Sequence, residues 1–238
     1  MFIYLDTETT GSGTNDKLCQ IAFKTDTGAT VDELFNPNMP ISVEAMSIHH
    51  ITNEMVADLP SFKGSNAYKQ LQVLFTSEDA VLVAHNAKFD VSMLNREDLF
   101  PKKVICTYKL SRYLDKDGVI PQYNLQYLRY YLKLNIDATA HTALGDVLVT
   151  EGLFQRIYAK FKGQTIGDDP VDEMIKISRS PVLVPRMPFG KHKGLKMADV
   201  PRDYLASLAG TDLDEDLAYT VRHYLGRSTQ EPEYDASI

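Results

Sequence analysis

The run Ala80-Val81-Leu82-Val83-Ala84 contains no polar side chain and has the length of a strand. A strand without apolar–polar alternation is expected where both faces of a sheet are covered, so helices must lie on either side of it. The rest of the chain fits around that constraint. Phe2–Thr7, Leu18–Lys24 and Thr30–Phe35 are β-prone runs separated by Thr10-Gly11-Ser12-Gly13 and Thr25-Asp26-Thr27-Gly28, which predicts an antiparallel meander. Helical character marks Val43–His49, Asn53–Ala57, Asn66–Phe75, the residues around Phe89, Met93 and Leu94, then Asn124–Leu132 and Thr142–Phe161, and Lys103–Thr107 reads as another short buried strand. The order β-β-β-α-β-α-β-α predicts an α/β fold, a mixed sheet flanked by helices.

Past Lys162 the composition changes. The expected organisation is a main domain over 1–162, a linker with a short helix near Asp172–Ser178 over 163–186, a small C-terminal α+β domain over 187–227, and a flexible tail over 228–238. At 238 residues, 44% hydrophobic and 24% charged, the chain is neither disordered nor collagen-like. Cys19 and Cys106 are the only cysteines and lie outside CxxC spacing, which excludes a disulfide framework or structural zinc site and fits a reducing cytoplasm. No apolar run approaches the ~18 residues of a membrane span. The start MFIYLDTET meets a carboxylate at Asp6 and does not read as a signal peptide. The net charge of −7 argues weakly against a nucleic-acid partner, and divalent metal in a carboxylate cluster would cancel part of it.

Asp6-Thr7-Glu8 ends the first strand, and residues two apart project from one face, so both carboxylates point the same way. Asp90 follows the second buried strand in His85-Asn86-Ala87-Lys88-Phe89-Asp90, and His141-Thr142-Ala143-Leu144-Gly145-Asp146 opens the long helix. Taken singly, Asp90 reads as a helix cap, Asp146 as a first-turn acid favoured by the helix dipole, and His141 as a capping residue. One arrangement accounts for all of them, a two-metal phosphodiester site. Mg²⁺ or Mn²⁺ prefers oxygen ligands, and histidine titrates close enough to neutrality to take a proton from water.

Asp6-Thr7-Glu8-Thr9-Thr10-Gly11, His85-Asn86-x-x-Phe89-Asp90 and His141-x4-Asp146 resemble the three motifs of the DEDDh branch of DnaQ-like 3′→5′ exonucleases, and Ile48-His49-His50-Ile51-Thr52 resembles a fourth segment of that family. Met187–Gly194 with Arg222-His223-Tyr224-Leu225, and Ile41–His49, are similar to the exodeoxyribonuclease X branch. The resemblance implies a ribonuclease H-like fold with a five-stranded mixed sheet. It implies two divalent ions held by Asp6, Glu8, Asp90 and Asp146, with His141 as general base, and Thr9, His49, His85, Asn86 and Phe89 contacting the terminal nucleotide. It also implies hydrolysis from DNA 3′ ends, single- and double-stranded, releasing nucleoside 5′-monophosphates in repair or turnover. An RNA exonuclease, a polymerase proofreading subunit and an inactive nucleic-acid-binding module are the alternatives. Oligomeric state is left open.

Two departures stand out. Ser12-Gly13-Thr14-Asn15-Asp16-Lys17 is small and polar where the family commonly carries an apolar wedge, which puts strand separation on duplex ends in doubt, and His50 stands where glycine is common, which suggests a narrower pocket. Residues 101–133 carry seven basic residues and six of the 13 tyrosines, the pattern of a strand-binding surface, or of helices with Tyr in the core and Lys in solvent. Lys191, His192, Lys193 and Lys196 cluster in and after a glycine-bounded turn, a phosphate-holding loop or a solvated one. The C-terminal unit is expected to add substrate grip, so that truncation near Gly167 weakens binding and preserves turnover.

Overall fold

The computed structural model describes residues 1–163 and 169–226. Strands β1 (Phe2–Thr9), β2 (Leu18–Thr25), β3 (Thr30–Leu34), β4 (Val81–Ala84) and β5 (Val104–Cys106) form one sheet in the order β3-β2-β1-β4-β5. β1, β2 and β3 pair antiparallel, while β4 adds to β1 and β5 to β4 in parallel. This is the expected mixed sheet. β4 is buried along its whole length, as its unbroken apolar run requires. β1 runs two residues further than the sequence pattern suggested, with a register shift between Glu8 and Thr9. Such a bulge re-aims the side chains beside it.

Alternation along β1 decides which layer each residue meets. Ile3 and Leu5 enter a core with Ile21, Phe23, Leu71, Met93 and Leu94, each such side chain contributing about 1.5–3 kcal/mol by leaving water. Phe2 and Tyr4 face the other way, with ring centroids 4.8 and 5.7 Å from Phe154 of helix α7 (Ala143–Lys162). Asp6 and Glu8 continue that second row. The first turn of α7 lies two turns before Phe154, so one helix covers the apolar end of the row and delivers Asp146 to its acidic end.

The remaining helices are α1 (Val43–His49), α2 (Asn53–Val56), α3 (Asn66–Leu74), α4 (Lys88–Arg96), α5 (Thr107–Leu114), α6 (Leu125–Tyr131), α8 (Val171–Arg179), α9 (Arg202–Leu208) and α10 (Glu215–Gly226). Side-chain oxygens of Ser42, Ser65, Asn124 and Thr142 cap α1, α3, α6 and α7. Among the described residues no helix is long and apolar enough to cross a membrane.

The chain divides into two compact units, residues 1–111 with 122–179, and residues 112–121 with 180–238. Helix α8 lies in the first. Met174, Ile175 and Ile177 are buried, and Ser178 Oγ accepts the Cys106 amide at 2.9 Å, so α8 covers the outer edge of β5. The span expected to be linker therefore carries a helix integral to the main unit. Residues 164–168 of that span, and the proposed tail over 228–238, lie outside the described residues.

The second unit has its own apolar cluster of Val184, Met187, Met197, Val200, Leu205, Leu208, Leu217 and Val221. Asp216 organises it: its carboxylate takes Arg112 Nη1 at 3.2 Å and the Val182 amide at 3.1 Å. Its expected β content amounts, among the described residues, to one bridge between Arg186 and Lys196. The basic turn is built on Gly190 and Gly194, at φ 69° and 84°. Lys191 lies 5.2 Å from the Tyr204 ring centroid, and the His192 ring meets Tyr204 edge-on at 4.6 Å.

Candidate active site

Carboxylate oxygens of Asp6, Glu8 and Asp146 all lie within 4.8 Å of one another. Two come from β1 and one from the first turn of α7, for the reason of register given above. Asp90 arrives from the opposite layer. It belongs to the first turn of α4, which packs on the Ile3 and Leu5 face, and its Oδ1 accepts the Thr7 hydroxyl at 2.7 Å. Thr7 alternates between Asp6 and Glu8, so the side chain pointing away from the cluster holds the fourth acid beside it.

The four acids disturb one another. Burial raises Asp6 well above the carboxylate range, and the charges of Asp90, Glu8 and Asp146 raise it further. Burial, then Asp146 and Asp90, push Glu8 up to about 8. Asp90 and Asp146 are also raised, chiefly by burial, although Thr7 opposes this at Asp90 and Gln126 and His141 oppose it at Asp146. Among the described residues neither Asp6 nor Glu8 makes an ion pair. Desolvated, mutually repelling oxygen donors of this kind fit hard divalent cations and suit neither soft metals nor an apolar ligand.

His141 is exposed, adopts φ 60°, and both its backbone N–H and its ring oppose the upward shift of the Asp146 carboxyl. Its loop is held by residues to which the sequence assigns no such role, among them Arg129, one of the seven basic residues expected on a strand-binding or solvated face. Arg129, buried in α6, donates from Nη1 to Ala138 O at 3.0 Å and to Gln126 Oε1 at 3.2 Å, and from Nη2 to Ile136 O at 2.5 Å. Gln126 in turn donates to Asp146 Oδ1 at 2.5 Å. Gly145 and Gly152 let the same loop lie against α7: a Cβ on Gly145 would fall into the Thr139 carbonyl oxygen, and one on Gly152 into Ile136. An arginine inside a Leu- and Tyr-rich helix, and two glycines seven apart inside another, were the available sequence signals.

The proposed nucleotide-contacting residues divide into two groups. Thr9, His49 and Phe89 line a cavity of about 500 Å³ together with Glu8, Gly11 and Ile48. Both ring nitrogens of His49 are engaged by backbone: Nδ1 accepts the Ile51 amide at 3.0 Å and Nε2 therefore donates to Thr9 O at 3.1 Å. Burial lowers its pKa, consistent with a neutral ring. His85 does not line the cavity. Its Nε2 donates to Tyr123 O and its Nδ1 pairs with the Thr107 hydroxyl, both at 2.9 Å, fastening the end of β4 to the first residue of α5 and to the segment before α6. Asn86 is exposed at φ 63°.

The two departures take definite form. His50 adopts φ 62° as the C-cap of α1, which is the conformation that favours glycine, and its exposed side chain is not part of the cavity wall. The polar loop after β1 is ordered by Asp16, which accepts Thr10 Oγ1 and the Gly13 amide at 2.6 Å each. A Cβ on Gly11 would lie 2.7 Å from that carboxylate.

The family model RNase_T, described as exonuclease, matches residues 3–154. Exodeoxyribonuclease 10 of Escherichia coli is 33% identical over 211 residues, covering 82% of this chain and 84% of its own length. A DNA polymerase III subunit epsilon-like protein of Rhodobacter capsulatus is 35% identical over 180 residues, covering 68% of this chain, and the match spans only 24% of that longer relative. The solved structure of Exonuclease X in complex with 5′ overhanging duplex DNA superposes with a TM-score of 0.59 at 32% identity, covering 75% of this chain and 99% of that one.

Proposed function

The chain belongs to the RNase_T exonuclease family, and from that premise we propose that it hydrolyses DNA phosphodiester bonds from the 3′ end, single-stranded and duplex, releasing nucleoside 5′-monophosphates with two Mg²⁺ or Mn²⁺ ions. The observation that carries the reading is the meeting of Asp6, Glu8 and Asp146, with Asp90 close enough to raise Asp6 and His141 close enough to act on Asp146. The names of the E. coli relative and of the DNA-bound structure support DNA as substrate.

Asp6, Glu8, Asp90 and Asp146 would hold the ions. Two divalent cations there supply activation of a water and stabilisation of the departing 3′ oxygen. The protein does the rest. His141 takes the proton of the attacking water, with Asp146 close enough to steady the imidazolium that forms. Thr9, His49 and Phe89 shape the terminal-nucleotide cavity, and His85 and Asn86 follow β4 outside its lining. The second unit adds substrate grip through Lys193 and Lys196, since Lys191 and His192 pack against Tyr204. The buried free cysteines, whose thiols burial pushes up, support a reducing, cytoplasmic setting.

A time course on 3′-labelled and 5′-labelled strands of DNA and of matched RNA, with Mg²⁺ or EDTA, tests this. Mononucleotide release from the 3′ label first, on DNA, only with metal, is expected. Release from the 5′ label first, or undiminished hydrolysis in EDTA, would overturn it.

A further inference from the structure

The tyrosine-rich stretch does not behave as buried core. Tyr123 is 8% exposed, but Tyr130 and Tyr131 are 72% and 42% exposed. The Tyr127 and Tyr131 rings stack at 5.8 Å and 20°, and the Arg129 guanidinium lies 5.3 Å from the Tyr130 ring. Gln122, Asn124, Gln126, Tyr127, Tyr130 and Tyr131 line an open groove of about 560 Å³. Gln126 is the wall shared with the acidic cluster, since the same side chain donates to Asp146.

We infer that this groove holds the unpaired, single-stranded segment of the nucleic-acid substrate just upstream of its terminal nucleotide, with its bases stacked on Tyr130 and Tyr131. Three observations select that occupant. The groove is continuous, through Gln126, with the site where the terminal phosphodiester must lie. Its surroundings are complementary to a phosphate chain: the lining is uncharged, Lys133 and Arg156 lie at the end of α6 with Arg129 buried behind Tyr130, Arg156 donates to Leu132 O at 2.8 Å, and no acid occurs between Asp117 and Asp137. Exposed aromatic rings offer π-faces that any base can use, with amide side chains at their edges, which suits a reader that must accept every sequence. The inference rests on the nuclease reading and adds where the strand runs.

The test is the affinity of the full-length protein, in EDTA, for a 5′-labelled oligodeoxynucleotide, measured by fluorescence anisotropy. A matched strand carries abasic sites at the second to fourth positions from the 3′ end. Tyr130→Ala is expected to weaken binding of the normal strand about tenfold, and Tyr130→Phe to leave it unchanged. The abasic strand should bind wild type as weakly as the variant binds normal DNA, with little further loss when both changes are combined. Equal affinity of wild type and Tyr130→Ala, or an identical loss on both strands, would overturn the inference. So would a wild-type dimer that Tyr130→Ala dissociates without altering strand affinity. Hydrolysis in Mg²⁺ is scored separately. A wild type that binds with this base dependence but releases no 3′ nucleotide refutes the nuclease reading and leaves the groove standing.

Discussion

The acidic cluster is assembled from two halves built on different principles. Asp6 and Glu8 belong to the middle strand of the sheet and pair with Ala22 and Gln20 of β2, so a backbone ladder fixes them, and among the described residues no ion pair neutralises them. His141 and Asp146 belong to a loop and a helix start held by side chains, with Arg129 on the Ile136 and Ala138 carbonyls and Gln126 on the carboxylate. One half is rigid and electrostatically strained, the other braced and electrostatically eased. Rigid placement tolerates repulsion because nothing can relax; a loop must be compensated to stay in place.

Changes on the strand side should therefore cost activity and relieve the fold. Asp6→Ala is expected to reduce turnover by about 10⁴-fold, through the loss of several kcal/mol of metal-assisted stabilisation, while the metal-free protein melts at the same or a higher temperature. Turnover assays paired with thermal melts in EDTA check both directions, and a lower melting temperature would break the contrast. On the loop side, His141→Ala should slow the reaction by about 10²- to 10⁴-fold with metal affinity retained, as titration calorimetry with Mn²⁺ would show. Equal metal-affinity losses in Asp6→Ala and His141→Ala would mean that the two halves do not have separate roles.

Gln126→Ala removes a brace without touching the ligands. About a tenfold fall in turnover is expected, the low end for a partner that orients a ligating carboxylate, accompanied by weaker metal binding. An unaltered metal affinity would show that Asp146 needs no orienting partner.

The smallest effect concerns pH. Folded Glu8 titrates near 8 because of burial first and Asp146 and Asp90 next, against a usual 4.5. Between those values the folded state binds more protons than the unfolded one, so the stability of the metal-free protein falls as pH rises through that window. Melting temperatures in EDTA should drop by a few degrees from about pH 5 to about pH 8, and saturating Mg²⁺ should flatten the profile. A metal-free profile that rises over this window would show that Glu8 is stabilised as an anion.

The strand half was largely legible in the sequence because both of its determinants are local. Alternation fixed the shared face of Asp6 and Glu8, and the apolar run at β4 fixed the covered sheet. Helix α5 was not singled out, since Thr107–Leu114 is rich in Lys, Arg and Tyr and its buried side, Leu110 with Ser111, is narrow. The loop half was legible only as the pair His141 and Asp146. What holds them acts across separations that no local pattern records: Arg129 on Ile136 and Ala138, and Gly145 under Thr139. His49 and His85 show the converse. Their presence was readable, but not that backbone and a hydroxyl occupy all four of their ring nitrogens.

The position of β1 between β2 and β4 has a consequence for how the molecule fails. Phe2–Tyr4 is paired to β4 and Ile3–Thr9 to β2, so the amides held in those ladders exchange with solvent when the sheet itself opens. The loop before α7, held through the side chain of Arg129, is expected to open before that sheet does. Under mild denaturant such a protein would pass through forms that keep their acidic strand intact and have lost the imidazole, inactive yet ready to recover without refolding.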